Sequence, residues 1–471
     1  MGVMIRMINL KEFKQSVLQK AMQGKLTKQL PSDGDARDLL VKIVNHKRDL
    51  VQAGKLKGYS KPLPPVTDKE IPFKIPSNWE WTKLGNVCKL INGRAYKKRE
   101  LLTDSSLTPV LRVGNLFTDK QWYYSNLKLP SKNYAHKGDL LYSWSASFGP
   151  RIWDGSTVIF HYHIWKVNFF KEYLNENYLY YVFLNVTHLA KFESHGTSMQ
   201  HITMHNMNRI PIPLPPLSEQ KRIVAKIHKC FLLADTIQKE RELNQKFAHD
   251  MKQSLLLEAM KGKLTQQLPN DGNADDLLQS IQQKKQQLIK ASKIRKHKKL
   301  PPISKDEIPF KIPKNWKWVR LGNISLIISG RDIPKRKQSK INDDNTIPYI
   351  TGAGNFISSK IVTHTYLNKH LASVVSFKDD LLITVKGTVG ELAFNPFCQA
   401  HIARQVIALR FISNIAPQFI YALLLLTRTK LSNKSKSIIP GIKRADLENL
   451  LVPVPPLSEQ NRIIVKLNNL I

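Results

Sequence analysis

Two groups of basic residues stand at matched positions in the chain, each just after a short polar–glycine pair. The first group follows Asn92-Gly93 and the second follows Ser329-Gly330. Lys and Arg on exposed turns are the side chains that contact nucleic-acid phosphates. Because the placement occurs twice, we predict that both groups contact phosphate and are not only solvated charge runs. The residues are Arg94, Lys97, Lys98 and Arg99, and Arg331, Lys335, Arg336 and Lys337.

Polar loops add side chains of the types that bind base edges. Residues 143–148 match residues 386–390, and residues 194–201 match residues 435–443. Hydroxyl, amide and amino groups in a groove supply the donors and acceptors of base recognition. The pattern assigns no residue to a particular base. The candidates are Ser145, Ser147, Thr197, Ser198, Gln200, Lys386, Thr388, Lys436, Ser437 and Lys443.

The net charge indicates a polyanionic partner. The chain has 73 Lys and Arg against 36 Asp and Glu, which gives +37. A chain this basic repels itself when compact, which makes sense if a polyanion is its usual partner. A ribosomal protein or a protein of a membrane surface could carry a similar charge, so composition alone leaves those alternatives open.

Motifs for catalysis are incomplete or missing. The sequence has no Gly-x-x-x-x-Gly-Lys-Ser/Thr phosphate loop. Asn395-Pro-Phe is similar to the Asn-Pro-Pro-Phe of adenine methyltransferases but lacks one proline, and no glycine-rich loop accompanies it. His161 and His163 lie two apart on a predicted strand without a cysteine or carboxylate cluster. We predict no catalytic residue, metal or cofactor, and place these histidines in the core or against DNA.

Cysteine use and hydropathy predict a cytoplasmic protein with no membrane partner. Cys88, Cys230 and Cys398 are far apart and form no Cys-x-x-Cys, which argues against a zinc site or a disulfide framework. The charged N-terminal residues form no signal-peptide core. The longest apolar run, residues 421–426, is too short to span a bilayer.

The chain consists of two copies of one unit. Three segments recur at offsets of 237 to 240 residues. Residues 93–200 and 330–440, which lie between the matched segments, share only scattered fragments. Duplication followed by drift would also reduce the identity of the matched segments. The pattern therefore favours one repeated scaffold, the frame, that carries two different recognition segments, the readers. The matched segments are 15–27 and 253–265, 71–81 and 308–318, and 215–220 and 455–460.

The matched segments predict long helices. Ser218 is the predicted N-cap of a helix that runs to about Leu264 and ends at Gly262 and Pro269. Within it, spacings of three and four residues form a seam that predicts helix–helix packing. The seam comprises Ile227, Cys230, Ala234, Ile237, Arg241, Asn244, Ala248, Met251 and Leu255.

Shorter elements complete each copy. A second helix is predicted at 277–289, with its copy at 39–51, followed by basic linkers at 293–302 and 55–65. The divergent inserts mix strands and helices. The predicted strands are 110–113, 157–167, 373–377 and 406–411, and the predicted helices are 177–189 and 418–431.

The chain ends complete the repeat. Ile471 matches Phe231 and Met1 matches Lys239, so only residues 232–238 lack a counterpart. The two terminal segments are therefore predicted to form the halves of a second long helix. We predict an α+β fold, in which two mixed α/β domains are joined by long antiparallel coiled-coil-like helices with a pseudo-two-fold internal repeat.

The matched blocks closely resemble the specificity subunits of type I restriction-modification enzymes. The resemblance rests on Pro-Pro-Leu-Ser-Glu-Gln at 215–220 and 455–460 and on Ile-Pro-x-Asn-Trp-x-Trp at 75–81 and 312–318. Gly-Asp-Leu-Leu at 138–141 adds to it, and the resemblance covers nearly the whole chain.

The resemblance implies a non-catalytic DNA-recognition subunit. Two target-recognition domains are expected, each reading half of a bipartite site in double-stranded DNA. The long helices are expected to bind two methyltransferase (modification) subunits, which endonuclease-translocase (restriction) subunits join. The C-terminal helix stops soon after Arg462, so its continuation must come from the N-terminal segment unless the chain is truncated. The expected domains are 1–60, an N-terminal helical segment completing the distal helix pair; 61–214, target-recognition domain 1; 215–300, the central long helix and helical hairpin; 301–454, target-recognition domain 2; and 455–471, the start of the distal helix.

Two other functions stay open at this point. A self-contained restriction enzyme or methyltransferase requires catalytic motifs that the sequence lacks. A basic structural nucleic-acid-binding protein does not account for two divergent inserts in one repeated frame. Methylation assays on the isolated chain separate the first alternative, and co-purification with a methyltransferase chain separates the second.

Overall fold

The computed structural model of the protein divides into two compact units. The units are Met1–Glu242 and Leu243–Ile471, and the boundary falls within one helix of 44 residues. The residues that the structure describes are 9–54, 62–118, 120–145, 147–193, 202–294, 299–413, 415–433 and 441–470.

The first unit combines helices with short strands. Its helices are α1 (Leu10–Met22), α2 (Ala36–Gln52), α3 (Leu84–Val87), α4 (Val113–Phe117), α5 (Glu176–Glu193), α6 (Met204–Arg209) and the first part of α7 (Leu217–Met260). Its strands are β1 (Glu80–Lys83), β2 (Cys88–Asn92), β3 (Thr108–Leu111), β4 (Tyr123–Ser125), β5 (Tyr134–Ala135), β6 (Leu140–Ser143), β7 (Gly149–Ile152), β8 (Val158–Phe160), β9 (Ile164–Phe169) and β10 (Pro211–Leu214).

The second unit repeats these elements. Its helices after α7 are α8 (Ala274–Lys290), α9 (Leu321–Ile324), α10 (Pro417–Asn433), α11 (Arg444–Glu448) and α12 (Leu457–Leu470). Its strands are β11 (Lys317–Arg320), β12 (Ser325–Ser329), β13 (Gln338–Ser339), β14 (Thr346–Ile350), β15 (Phe356–Ile357), β16 (Lys360–Ile361), β17 (Tyr366–Asn368), β18 (Val375–Phe377), β19 (Leu381–Thr384), β20 (Leu392–Phe394), β21 (Gln399–Ile402), β22 (Val406–Phe411) and β23 (Leu451–Val454).

The equivalent strands of the two units have the same order. The first unit has sheets β2-β9-β6-β7, β4-β3-β8-β5 and β1-β10. The second has β12-β22-β19-β20, β13-β17-β14-β21-β18 and β11-β23, and adds the edge strand β13 and the small sheet β15-β16. In each unit one parallel pair, β3 with β8 or β14 with β21, lies among antiparallel pairs. The divergent inserts therefore share one topology, and the prediction of a mixed α/β repeat is confirmed.

A buried glutamate holds the frame of the first unit together. Glu219, in the first turn of α7, is fully buried. Its carboxylate accepts hydrogen bonds from Trp79 Nε1 at 2.8 Å, Gln29 Nε2 at 2.8 Å and Thr27 Oγ1 at 2.9 Å. A buried carboxylate is tolerated when charge-assisted hydrogen bonds replace its hydration. The acidic residue of the repeated block therefore joins three separate segments.

The second unit has the same network on α12. Glu459 is fully buried and accepts from the three equivalent donors. The donors are Trp316 Nε1 at 2.8 Å, Gln267 Nε2 at 2.7 Å and Thr265 Oγ1 at 3.2 Å. The tryptophan and the glutamate of the two repeated motifs are thus direct partners, which explains why both recur in each copy.

An arginine one turn further along each helix adds an ion pair. Arg222 donates to both carboxylate oxygens of Asp33, at 2.6 and 2.7 Å, and Arg462 donates to Asp271 at 2.6 Å on both. The guanidinium hydrogen bonds lower the pKa of Asp33 to about 2 and lower the pKa of Asp271 as well. Both pairs are therefore charged at neutral pH.

The start of α7 differs from the prediction. The helix begins at Leu217 and ends at Met260, so Ser218 lies inside its first turn and is not the N-cap. The Ser218 hydroxyl instead donates to Asp33 at 2.9 Å. Gly262 adopts a φ of +69°, which is the left-handed conformation expected where a helix ends.

The predicted seam of α7 is only partly packed. α1 runs antiparallel to the beginning of α7, because Lys14 pairs with Asp235 while Thr27 binds Glu219. Ile227 and Ala234 are accordingly buried. The three seam residues Asn244, Ala248 and Met251 are exposed, so the packing prediction is wrong for the middle of the helix. Among the described helices, none is long and apolar enough to cross a membrane.

Candidate nucleic-acid interface

A close backbone contact sets the course of each basic loop. Gly93 and Gly330 follow β2 and β12, and the chain there lies directly against the end of a neighbouring strand. A Cβ on Gly93 would lie 2.3 Å from the carbonyl oxygen of His161, and one on Gly330 would lie 2.1 Å from that of Ala403. Only glycine allows this approach. Gly93 and Gly330 are therefore required because a larger residue would collide with the neighbouring backbone.

The first basic loop contains one fixed arginine and three exposed cations. Arg94 donates through both terminal nitrogens to Glu100, at 3.0 and 2.8 Å, and its guanidinium lies over the ring of Tyr96. Since both nitrogens are occupied, Arg94 supports the loop and is less available to a ligand. The remaining candidates of this group are exposed beside or within a short 3-10 helix: Lys97, Lys98 and Arg99.

The second basic loop also contains a short 3-10 helix, but its side chains have different ion-pair partners. Lys337 stands where the first loop has Glu100, and Arg331 forms no ion pair with any described residue. Its carbonyl group accepts from His401 Nε2 at 2.8 Å. The basic candidates of this loop, Arg331, Lys335, Arg336 and Lys337, are all exposed.

The hairpin loops place further candidates beside these loops. In the first unit Ser145 is buried and Ser147 is exposed between β6 and β7. In the second unit Lys386 and Thr388 are exposed between β19 and β20. A bridge between Lys386 and Gly441 brings exposed Lys443 to the same edge. The candidates Thr197, Ser198, Gln200, Lys436 and Ser437 lie outside the described residues.

Sequence reasoning missed a turn next to each loop. The predicted strand 157–167 is two strands, because residues 161–163 form a turn between β8 and β9. Residues 403–405 form the matching turn between β21 and β22. The first turn is His-Tyr-His and the second is Ala-Arg-Gln, of which Arg404 and Gln405 are exposed. The two-residue spacing of the histidines was the available signal, but it was interpreted as a strand.

Aromatic rings surround the turn of the first unit. Trp144 Nε1 donates to the carbonyl group of Tyr162 at 2.9 Å, and its ring stacks on Trp165. Trp144 therefore packs within the unit. Burial, with the nearby positive charge of His163 and Arg112, lowers the pKa of His161 to about 4. His161 is thus neutral at physiological pH and can both donate and accept a hydrogen bond.

Neither feature that suggested catalysis, the Asn395 motif or a histidine metal site, is supported by the contacts of the described residues. Asn395 is fully buried; its amide nitrogen donates to Ser376 Oγ at 3.1 Å and its oxygen accepts from the Phe397 N–H at 3.0 Å. This side chain thus joins β18 to the segment that follows β20. Among the described residues, no group of three or more His, Cys, Asp or Glu is placed to hold a metal ion.

The repeated frame and its differing loops have counterparts in known proteins. The family model described as type I restriction modification DNA specificity domain matches residues 76–245 and 313–471, more than half of the chain. The chain belongs to this specificity family. Each matched segment of the family member contains one of the two turns and one of the two basic loops.

Two curated relatives and one solved structure are similar to this family member. The type I restriction enzyme EcoAI specificity subunit of Escherichia coli is 26% identical over 99% of this chain and 90% of the relative. The EcoEI specificity subunit of the same organism is 29% identical over 68% of this chain and 62% of the relative. A chain from a study of complex assembly and conformational transition of the type I R-M system has a TM-score of 0.60 at 22% identity, covering 85% of this chain and 91% of that chain.

Proposed function

We propose that the protein is the DNA sequence-specificity subunit of a type I restriction-modification complex. Each unit carries one reader, and each reader recognises half of a bipartite site in double-stranded DNA. The observation that carries the proposal is the contrast within the repeat. The buried hydrogen bonds of the frame match bond for bond, whereas the exposed side chains of the loops differ between units.

The charge of the exposed loops supports a DNA ligand. Both basic loops present their cations at the ends of β2 and β12, where phosphate contacts fix the position of a protein on a duplex. The exposed cations of the basic loops are proposed as phosphate contacts: Lys97, Lys98, Arg99, Arg331, Lys335, Arg336 and Lys337. The exposed residues of the polar loops are proposed as candidates for base contacts: Ser147, Lys386, Thr388 and Lys443. The readers are proposed to occupy residues 61–214 and 301–454.

The chain is proposed to act without catalysis of its own. Methyl transfer and cleavage then belong to two methyltransferase subunits and to endonuclease-translocase subunits, which assemble with it. The curated relatives are specificity subunits of type I restriction enzymes, which favours this division of labour.

Exchange of one reader tests the proposal. The full chain is co-expressed with its methyltransferase subunits, and the methylated DNA motif is mapped by sequencing. Replacement of residues 330–440 with the insert of another family member should change one half of the motif and leave the other half intact. A change in both halves, or methylation with no sequence preference by the unaltered complex, would contradict the proposal.

The isolated chain provides the second comparison. Purified alone, it should transfer no methyl group to DNA and hydrolyse no ATP, while the complex with methyltransferase subunits methylates its motif. Methyl transfer by the pure chain would favour a self-contained methyltransferase instead.

A further inference from the structure

The backbone of the two turns is held by five equivalent hydrogen bonds. In each unit the turn is tied to the basic loop, to the neighbouring parallel strand and to the hairpin loop. In the first unit the donors are the N–H groups of Gly93, Arg94, Trp144, His161 and Ile164, which bind the carbonyl groups of Ile164, Phe160, His163, Leu111 and His161 at 2.9–3.2 Å. In the second they are those of Gly330, Arg331, Val385, Ala403 and Val406, which bind Val406, Ile402, Gln405, Ile350 and Ala403 at 2.8–3.1 Å.

The side chains on this shared backbone have nothing in common. Residues 161–163 are His-Tyr-His and residues 403–405 are Ala-Arg-Gln. A rigid backbone with exchangeable side chains is the arrangement that positions a functional group precisely enough to discriminate bases. The flanking glycine in each loop, Gly93 or Gly330, cannot be replaced without moving this backbone.

Arg404 is oriented for bidentate recognition. Its backbone N–H donates to Oδ1 of Asp332 at 3.1 Å, and its Nε contacts Oδ2 at 2.7 Å. The side chain is still 67% exposed, and among the described residues no hydrogen-bond partner occupies its two terminal nitrogens. A carboxylate that engages Nε leaves the terminal nitrogens to bind O6 and N7 of one guanine, the commonest specific contact in the major groove.

We propose that residues 161–163 and 403–405 are the specificity-determining turns of the two readers, and that Arg404 recognises a guanine in the half-site of the second unit. Asp332 acts as a positioning residue, since it touches the arginine and not the base. This inference rests on the proposed DNA-reading function.

The proposal is tested by the methylation motif of the complex assembled with its methyltransferase subunits. With Arg404→Ala, methylation should tolerate other bases at one guanine position of one half-site, with roughly 5- to 100-fold loss of discrimination there. All other positions should keep their preference. Arg404→Lys should relax the same position, because lysine keeps the charge but loses the planar pair of donors. Asp332→Asn should give a smaller relaxation of that position.

A matched variant on the frame serves as the control. Arg37 is also an exposed arginine paired with an aspartate: its Nε donates to Asp35 at 2.9 Å, its side chain is 61% exposed, and, unlike in Arg404, one terminal nitrogen also binds Asp35. Arg37→Ala should leave the motif unchanged, because this pair lies at the start of α2, away from the turn.

The outcomes separate this inference from the function on which it rests. An unchanged motif with Arg404→Ala overturns base reading and leaves only a phosphate contact, whereas an unchanged motif with Arg404→Lys overturns the bidentate contact argued for Arg404. A half-site of the second unit that contains no guanine also overturns it. If the unaltered complex methylates without sequence preference, the proposed function itself fails. If the alanine variant does not assemble, Arg404→Lys, which keeps the positive charge, is the test. Relaxed preference at one guanine position then supports the proposal, and an unchanged motif overturns it.

Discussion

Removal of the Glu219 carboxylate should destabilise the first unit strongly and leave the second unit almost unchanged. Hydrogen bonds to a charged group contribute about 1.5–3 kcal/mol each. Thr27 and Gln29 are only partly buried and can regain water, whereas the buried Trp79 N–H cannot. Loss of the costly buried charge offsets part of the damage. We therefore expect Glu219→Ala to lower the free energy of unfolding of this unit by about 3–5 kcal/mol.

The equivalent glutamate of the second unit allows the same substitution to be tested there. Because Glu459 has the same three donors, Glu459→Ala should cost a similar amount, but in the second unit. Glu219→Gln keeps the side-chain volume, yet its NH₂ group must face one of the donors, so a loss of about 2 kcal/mol is expected. Glu240→Ala, an exposed glutamate on the same helix, should stay within about 0.5 kcal/mol of the unaltered protein.

Hydrogen exchange in the full chain measures each unit separately. Peptides of the first unit should lose protection in the Glu219 variants, and peptides of the second unit should lose it in the Glu459 variant. A cost below about 1 kcal/mol for Glu219→Ala would show that the network contributes little. A difference above about 2 kcal/mol between the two alanine variants would refute the equivalence of the two frames.

Three further outcomes follow from the same contacts. Gly330→Ala should displace the second basic loop, because its Cβ would meet the Ala403 carbonyl group, and should weaken methylation of one half-site, while Gly354→Ala, with open space around it, should have little effect. The pKa of Asp33, lowered to about 2, means that its contribution to stability is present above pH 4 and is lost as the pH falls towards 2; urea midpoints measured across this range should show the loss, and Asp33→Asn should remove that dependence. Arg336→Ala should reduce the slope of log binding constant against log salt by about one if the side chain contacts phosphate, and an unchanged slope would mark it as a solvated charge.

The repeated frame could be predicted from sequence because its residues recur. The matched tryptophans and glutamates indicated one unit used twice. In the structure the equivalent strands of both units have the same order. The sequence could not show that Trp79 and Glu219 bind each other, since residues 140 apart become neighbours only through the fold. Ser218 was interpreted as a cap from local chemistry, but a tertiary partner, Asp33, takes its hydroxyl group.

The candidate site was predicted less completely. The basic loops were found because Lys and Arg follow a glycine at equivalent positions. The turn 161–163 was missed because residues 157–167 are apolar and β-branched enough to resemble one continuous strand. The turn 403–405 was missed because its single arginine, just before the predicted strand 406–411, does not form a basic group. Arg94 could not be told apart from its neighbours by sequence, although a carboxylate six residues away occupies both its terminal nitrogens.

The frame contacts also set the order in which the chain can fold during synthesis. Thr27 and Gln267 each bind a glutamate that is translated 192 residues later. At elongation rates of about 5–20 residues per second, each partner waits roughly 10–40 s for its glutamate. During this time Val17 and Leu18 of α1, which are buried in the finished unit, lack the cover of later segments of the same core, among them α5 and the start of α7. An emerging nascent chain therefore presents an apolar helix face that chaperones can bind before the frame closes.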